Sequence, residues 1–207
     1  QPTDDILGIR EGMSIEETRK VLQCRNSSYA IRTSDYNPSL PDGGQMSRVD
    51  LTADSGLDRV VVWLVGPSGA EQVMHVERTI EFTSGNELPI SSIEQELVNK
   101  YGVFDEAAYG HSGYIVRSRD GQRLGPNNTN YTVCRRHTFS SESPKPCFNV
   151  VSYDIQDSSD NAQLASKFTV TITNQARNWA MVEAAQGKKA SEVEHAREKA
   201  EDQGLEL

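Results

Sequence analysis

The chain has 207 residues, with 21 Lys+Arg against 30 Asp+Glu and a formal net charge of -9, enough length to bury a substantial core without metals or many disulfides. That negative field repels phosphate backbones and anionic headgroups, which argues against nucleic acid as a partner. The longest apolar run, residues 60–65, falls far short of the roughly twenty residues of a membrane-spanning helix.

Gln1 is not an initiator residue, so the sequence is either an excised piece or a mature form left after removal of a signal peptide, and the cysteine usage fits the exported alternative. Ser14 and Glu17 have the Ser-x-x-Glu spacing of a capping box, in which hydroxyl and carboxylate satisfy each other's backbone amides. Ile15, Thr18, Val21 and Leu22 then share one side at helical spacing. Cys24 follows at the end of this helix and reads as a small buried hydrophobe. The Pro-, Asp- and Gly-rich stretch 34–44 reads as a loop.

Residues 60–65 are apolar on both sides of the pleat, as in a strand covered on both faces. Along 73–82, Met74, Val76, Ile80 and Phe82 alternate with His75, Glu77, Thr79 and Glu81, the pattern of a half-buried antiparallel strand. Arg78 falls on the apolar side, where its methylenes can cover core while its charge reaches an edge or a carboxylate.

A second helix is expected from Ile90, Ile93, Leu97 and Tyr101, stopped by Gly102, with Ser91 and Glu94 repeating the capping-box spacing. Strands are expected at 114–116, running toward an Asp120-Gly121 turn, at 148–155 and at 168–173. The reading is an α+β chain: two tandem helix-plus-antiparallel-sheet units, 1–86 and 87–173, sharing one continuous or paired sheet. A helical tail, 174–207, follows, with a thin apolar seam of Trp179, Val182, Ala190, Val193 and Ala196. That tail reads either as a solvated terminus or as a helix that docks in a partner groove.

Cys134 and Cys147 bracket a polar loop, and a bridge between them would contribute about 3 kcal/mol on the chain-entropy model. The competing reading, a zinc site of Cys134, His137 and Cys147, lacks an evident fourth ligand. No nucleophile elbow, phosphate-binding glycine loop or His-Glu-x-x-His helix occurs, so no catalytic residue, cofactor or metal is assigned. For binding, Trp63 stands opposite Val60, Val62 and Leu64 in the pleat, either as a core tryptophan or, if exposed beside His75, as an interface anchor. Trp179 is the third candidate binding residue.

The run from Leu7 to Leu22, with Gly12-Met13-Ser14 before the helix, resembles the entry of domains shared by the tandem-repeat β-lactamase inhibitor protein and the small lipoprotein of the outer-membrane barrel-assembly machinery. The stretch 73–82 and the helix ending Asn99-Lys100-Tyr101-Gly102 are similar to exported proteins of Gram-negative bacteria. The resemblance spans most of residues 5–173, although the second helix enters through Leu88-Pro89-Ile90-Ser91, without a Gly-Met-Ser of its own. The resemblance implies a helix packed on an antiparallel sheet; the absence of catalytic motifs and the exported context lead to the expectation of a periplasmic or secreted, non-catalytic protein that binds another envelope or secreted protein. The alternative is an inhibitor of such an enzyme, using residues 103–112 as a protruding loop.

Overall fold

The computed structural model describes residues 4–36, 47–106, 110–135, 147–176, 187 and 190–199. Two short strands, β1 (Asp5–Ile6) and β2 (Ile9–Arg10), pair as a hairpin around Leu7 and Gly8, which have φ of 59° and 89°. Helix α1 (Ile15–Arg25) follows the capping box as expected: the Ser14 hydroxyl accepts from the Glu17 amide at 3.3 Å, and Glu17 Oε2 accepts from the Ser14 amide at 2.8 Å. Those Ser14 hydrogen bonds hold the Glu17 carboxyl below its ordinary range. Gly12-Met13-Ser14 has a tertiary role too. The Gly12 amide donates to Val73 O, Val73 N donates to Met13 O, and Ser14 bridges Gln72, which fixes the helix entry to the sheet.

Strands β3 (Ala30–Tyr36), β4 (Ser47–Asp54), β5 (Asp58–Gly66) and β6 (Gln72–Glu81) form a meander. After β7 (Leu88–Pro89) comes α2 (Ile90–Tyr101), then β8 (Asp105–Glu106), β9 (His111–Ser118), β10 (Arg123–Leu124), the single turn α3 (Tyr131–Cys134), β11 (Cys147–Asp157) and β12 (Leu164–Asn174). All pairings are antiparallel, and the main sheet runs β10-β9-β11-β12-β6-β5-β4-β3, with β7 beside β12 and β8 beside β9.

This corrects the expected α+β architecture of two tandem helix-plus-sheet units followed by a helix. The protein is mostly β, one ten-stranded antiparallel sheet plus the hairpin, and the helices α1, α2 and α3 have only 11, 12 and 4 residues. The physical reason is that most of the chain pairs into one sheet, β6 meeting β12 from Glu81↔Lys167 to His75↔Thr173, which leaves short helices to cover part of it. A single apolar cluster then runs from Leu51 and Val62 through Val76 and Ile172 to Val151 and Ile115. The second capping box is also absent. Pro89 takes the N-cap position with no side-chain cap, so Ser91 lies inside the helix and Glu94 turns to other partners.

Two further expectations change. Val73 rather than Met74 joins the main core, because the β5–β6 register shifts between Trp63 and Leu64. Cys24 is exposed, since α1 buries Thr18 and Leu22 and Cys24 falls off that stripe. In the tail, residues 190–199 are helical and exposed, with Val193 at 59%. Trp179 and Val182 lie outside the described residues. Among the described residues no helix is long and apolar enough to cross a membrane.

Candidate functional site

The inner face of the sheet is covered by α1, α2 and the hairpin, with Val60, Val62 and Leu64 fully buried beneath them. The outer face carries the alternate residues. At its β9–β11 end it is covered by α3, where Val116, Leu124, Tyr131 and Val150 pack with Cys134 and Cys147. Those two cysteines form the expected disulfide. His137, the third ligand of the alternative zinc reading, lies outside the described residues.

Toward the β3 edge the outer face holds a row set by register: Asp50 opposite Trp63, Trp63 opposite His75, and His75 opposite Thr173. Trp63 is half-buried on this face, so it is no core tryptophan, and it stacks on His75 with ring centroids 3.8 Å apart and planes 17° from parallel. His75 is buried, and its Nδ1 shares a 2.7 Å hydrogen bond with the Thr173 hydroxyl. The Arg48 guanidinium lies 4.1 Å from the Trp63 centroid and 5.5 Å from that of Tyr36. Its Nε and Nη2 donate to Asp50 at 2.5 and 2.7 Å. A bidentate carboxylate fixes the guanidinium plane while the ring quadrupole attracts its charge, a contact worth about 0.5–2 kcal/mol.

Trp63 and His75, named from the sequence, are thus brought together. Arg48, Asp50 and Tyr36 were missed. The alternation Arg48, Asp50, Thr52, Asp54 was a visible signal, but placing Arg48 over Trp63 needs the pairing register. Beside the stack is a polar hollow of about 620 Å³ with Arg32, Ser34, Asp50, Asp54 and Arg59 in its lining. Its outer margin is β3, which among the described residues pairs only with β4 and whose residues are exposed except for the half-buried Ile31.

A second concavity lies on the inner face. Between the hairpin, the end of α1 and α2 is a trough of about 530 Å³, floored by Ile80 on β6 and by Phe168 and Val170 on β12. Its two helices stay apart because the hairpin wedges between them, pinned where the Tyr101 hydroxyl donates to Asp5 O at 2.7 Å. Burial, followed by the charges of Asp5 and Asp4, pushes the Tyr101 phenol well above its ordinary range, so it remains a donor. In the trough's lining, Arg78 meets a carboxylate as expected: its Nε and Nη2 donate to Asp58 at 3.0 and 2.9 Å, and the Tyr29 hydroxyl donates to Asp58 at 2.6 Å.

Among the described residues no group of three or more His, Cys, Asp or Glu is placed to hold a metal ion. An imidazole–carboxylate contact, His111 Nδ1 at 3.3 Å from Glu94 Oε1, is on the surface. Next to it, burial first and the neighbouring Glu94 and Glu106 charges second push the Tyr153 phenol up to about 12. Of the loop 103–112, residues 107–109 lie outside the described residues. No protein-family model, no curated protein and no solved structure matches the chain.

Proposed function

We propose that this chain is a non-catalytic, exported protein that binds another envelope or secreted protein across the β3 end of the outer sheet face. The observation that carries the reading is the arrangement of that end: an exposed edge strand beside a polar hollow and the Arg48–Trp63 stack. An edge strand offers unpaired backbone groups on which an extended segment can add a strand. Arg, Trp and Tyr are the side chains that most often anchor interfaces, and here their geometry is set before binding, which lowers the ordering cost. The buried Cys134–Cys147 bridge supports export, because such bridges persist in oxidising compartments. The same reading places the chain with the exported superfamily of the β-lactamase inhibitor protein and the small barrel-assembly lipoprotein, on the Gly12-Met13-Ser14 entry.

The test is affinity capture from native Gram-negative envelope extract with the whole chain as bait, followed by mass spectrometry. A stoichiometric partner retained by wild type and lost by a Tyr36→Ala, Trp63→Ala double variant, with unchanged circular dichroism, supports the reading. A partner held equally by both baits places binding elsewhere and refutes it.

A further inference from the structure

The inner trough has a polarity that partner binding on the outer face does not use. Its body is apolar: Leu7 and Ile93 stand in the walls over the Ile80, Phe82, Phe168 and Val170 floor, within a volume of about 530 Å³ that is ordinary for a small-molecule site. Its rim is charged, with Arg25, Arg78 and Lys100 against Asp5 and Glu96. Arg78 is held by Asp58, and Lys100 Nζ lies 3.2 Å from Asp5. Arg25 differs. Its Nε donates to Leu7 O at 2.9 Å, and among the described residues its guanidinium meets no carboxylate. A guanidinium anchored through Nε keeps its two terminal amino groups for one planar anion.

The wall at Leu7 adds an independent mark. Leu7 is the one non-glycine among the described residues with positive φ, at the first position of a two-residue hairpin turn. Asn, Asp or Gly suits that position, and a branched aliphatic side chain does not. The residue found there gives up turn geometry and supplies apolar wall.

We propose that the trough binds a single-chain aliphatic carboxylate, with its chain over Ile80, Phe168 and Val170 and its carboxylate on the Arg25 guanidinium. Glu96 is the one rim carboxylate with no ion pair among the described residues, and it opposes an anionic head, so Glu96→Gln tightens binding.

The probe is dodecanoate below its micelle concentration, titrated calorimetrically into the full chain, with dodecanol and dodecyltrimethylammonium as neutral and cationic heads on the same tail. Dodecanoate binds with saturation, and both other heads bind about tenfold or more weakly, the usual scale for a lost charge-assisted hydrogen bond. Arg25→Gln weakens dodecanoate by about that factor and leaves dodecanol unchanged. Leu7→Asn raises the melting temperature while weakening all tails, a combination that general loss of folding does not produce. Equal affinity for the three heads, an Arg25→Gln variant that binds dodecanoate as wild type does, or no saturable binding overturns the proposal. None of these outcomes bears on the outer-face partner.

Discussion

Replacing Asp58 with Ala removes the acceptor shared by Arg78 and Tyr29, and the structure sets the size of the effect. The side chains of Arg78 and Asp58 are only 26% and 21% exposed. The pair therefore lies between an exposed ion pair, worth below about 1 kcal/mol, and a buried one, whose breaking costs about 3–5 kcal/mol. An expected loss of about 2–3 kcal/mol follows, which for a chain of this size lowers the melting temperature by roughly 5–10 °C. Because most of that loss comes from stranding the Arg78 charge, adding Arg78→Met to Asp58→Ala restores about half of it. The pH dependence has a definite sign. Burial alone would raise the Asp58 carboxyl, but hydrogen bonds from Arg78 and Tyr29 and the Arg78 charge outweigh it and hold the group below its ordinary range. A lowered folded-state value means that the contribution is present above the unfolded carboxyl's value, about 3.9, and is lost as pH falls through the lower folded one. Urea unfolding of both chains between pH 7 and about pH 2 measures this. A difference below about 0.5 kcal/mol at neutral pH, or one that persists undiminished in acid, would refute the reasoning.

Reducing the Cys134–Cys147 bridge, which spans a sequence separation of 13, should cost about 3 kcal/mol in urea unfolding. Thiol labelling of unfolded, unreduced protein should modify Cys24 alone. A Cβ added at Gly113 would lie 2.7 Å from Tyr153 Cε1 and 2.8 Å from Phe104 Cβ, so Gly113→Ala should lose about 1–3 kcal/mol through overpacking, read from a melting curve. Ser14→Ala should lose about 1 kcal/mol with the capping box, and Ser91→Ala, which caps nothing, should change stability by less than about 0.5 kcal/mol.

What the sequence made legible was local. The Ser14–Glu17 box, the seam of Ile90, Ile93, Leu97 and Tyr101, and the alternations now seen as β11 and β12 depend on neighbours a few residues apart. Arg78 was legible for the same reason, since a cation on an apolar strand face must find a partner. The strand order was not, because β6 and β12 meet across about 90 residues and no local pattern records which strands will pair. The matching Ser-x-x-Glu at Ser91 suggested a second unit of the first kind, yet the preceding proline sets the helix start with its own fixed φ. Trp63 and His75 could be named as candidates on adjacent strands. The cation above them depends on the β4–β5 register, which sets Asp50 opposite Trp63 and Arg48 next along the same face, and the trough is assembled from the hairpin, two helices and two strands that meet only in the fold.

The central claim is that the β3 end of the sheet receives a protein partner. Amide hydrogen exchange of the whole chain, with and without the captured partner at saturation, measures it most directly. The account predicts new protection of the amides of residues 30–36, together with slowed exchange of the Trp63 indole N–H. Unchanged exchange across β3, with protection confined to α2 or the hairpin, would contradict it.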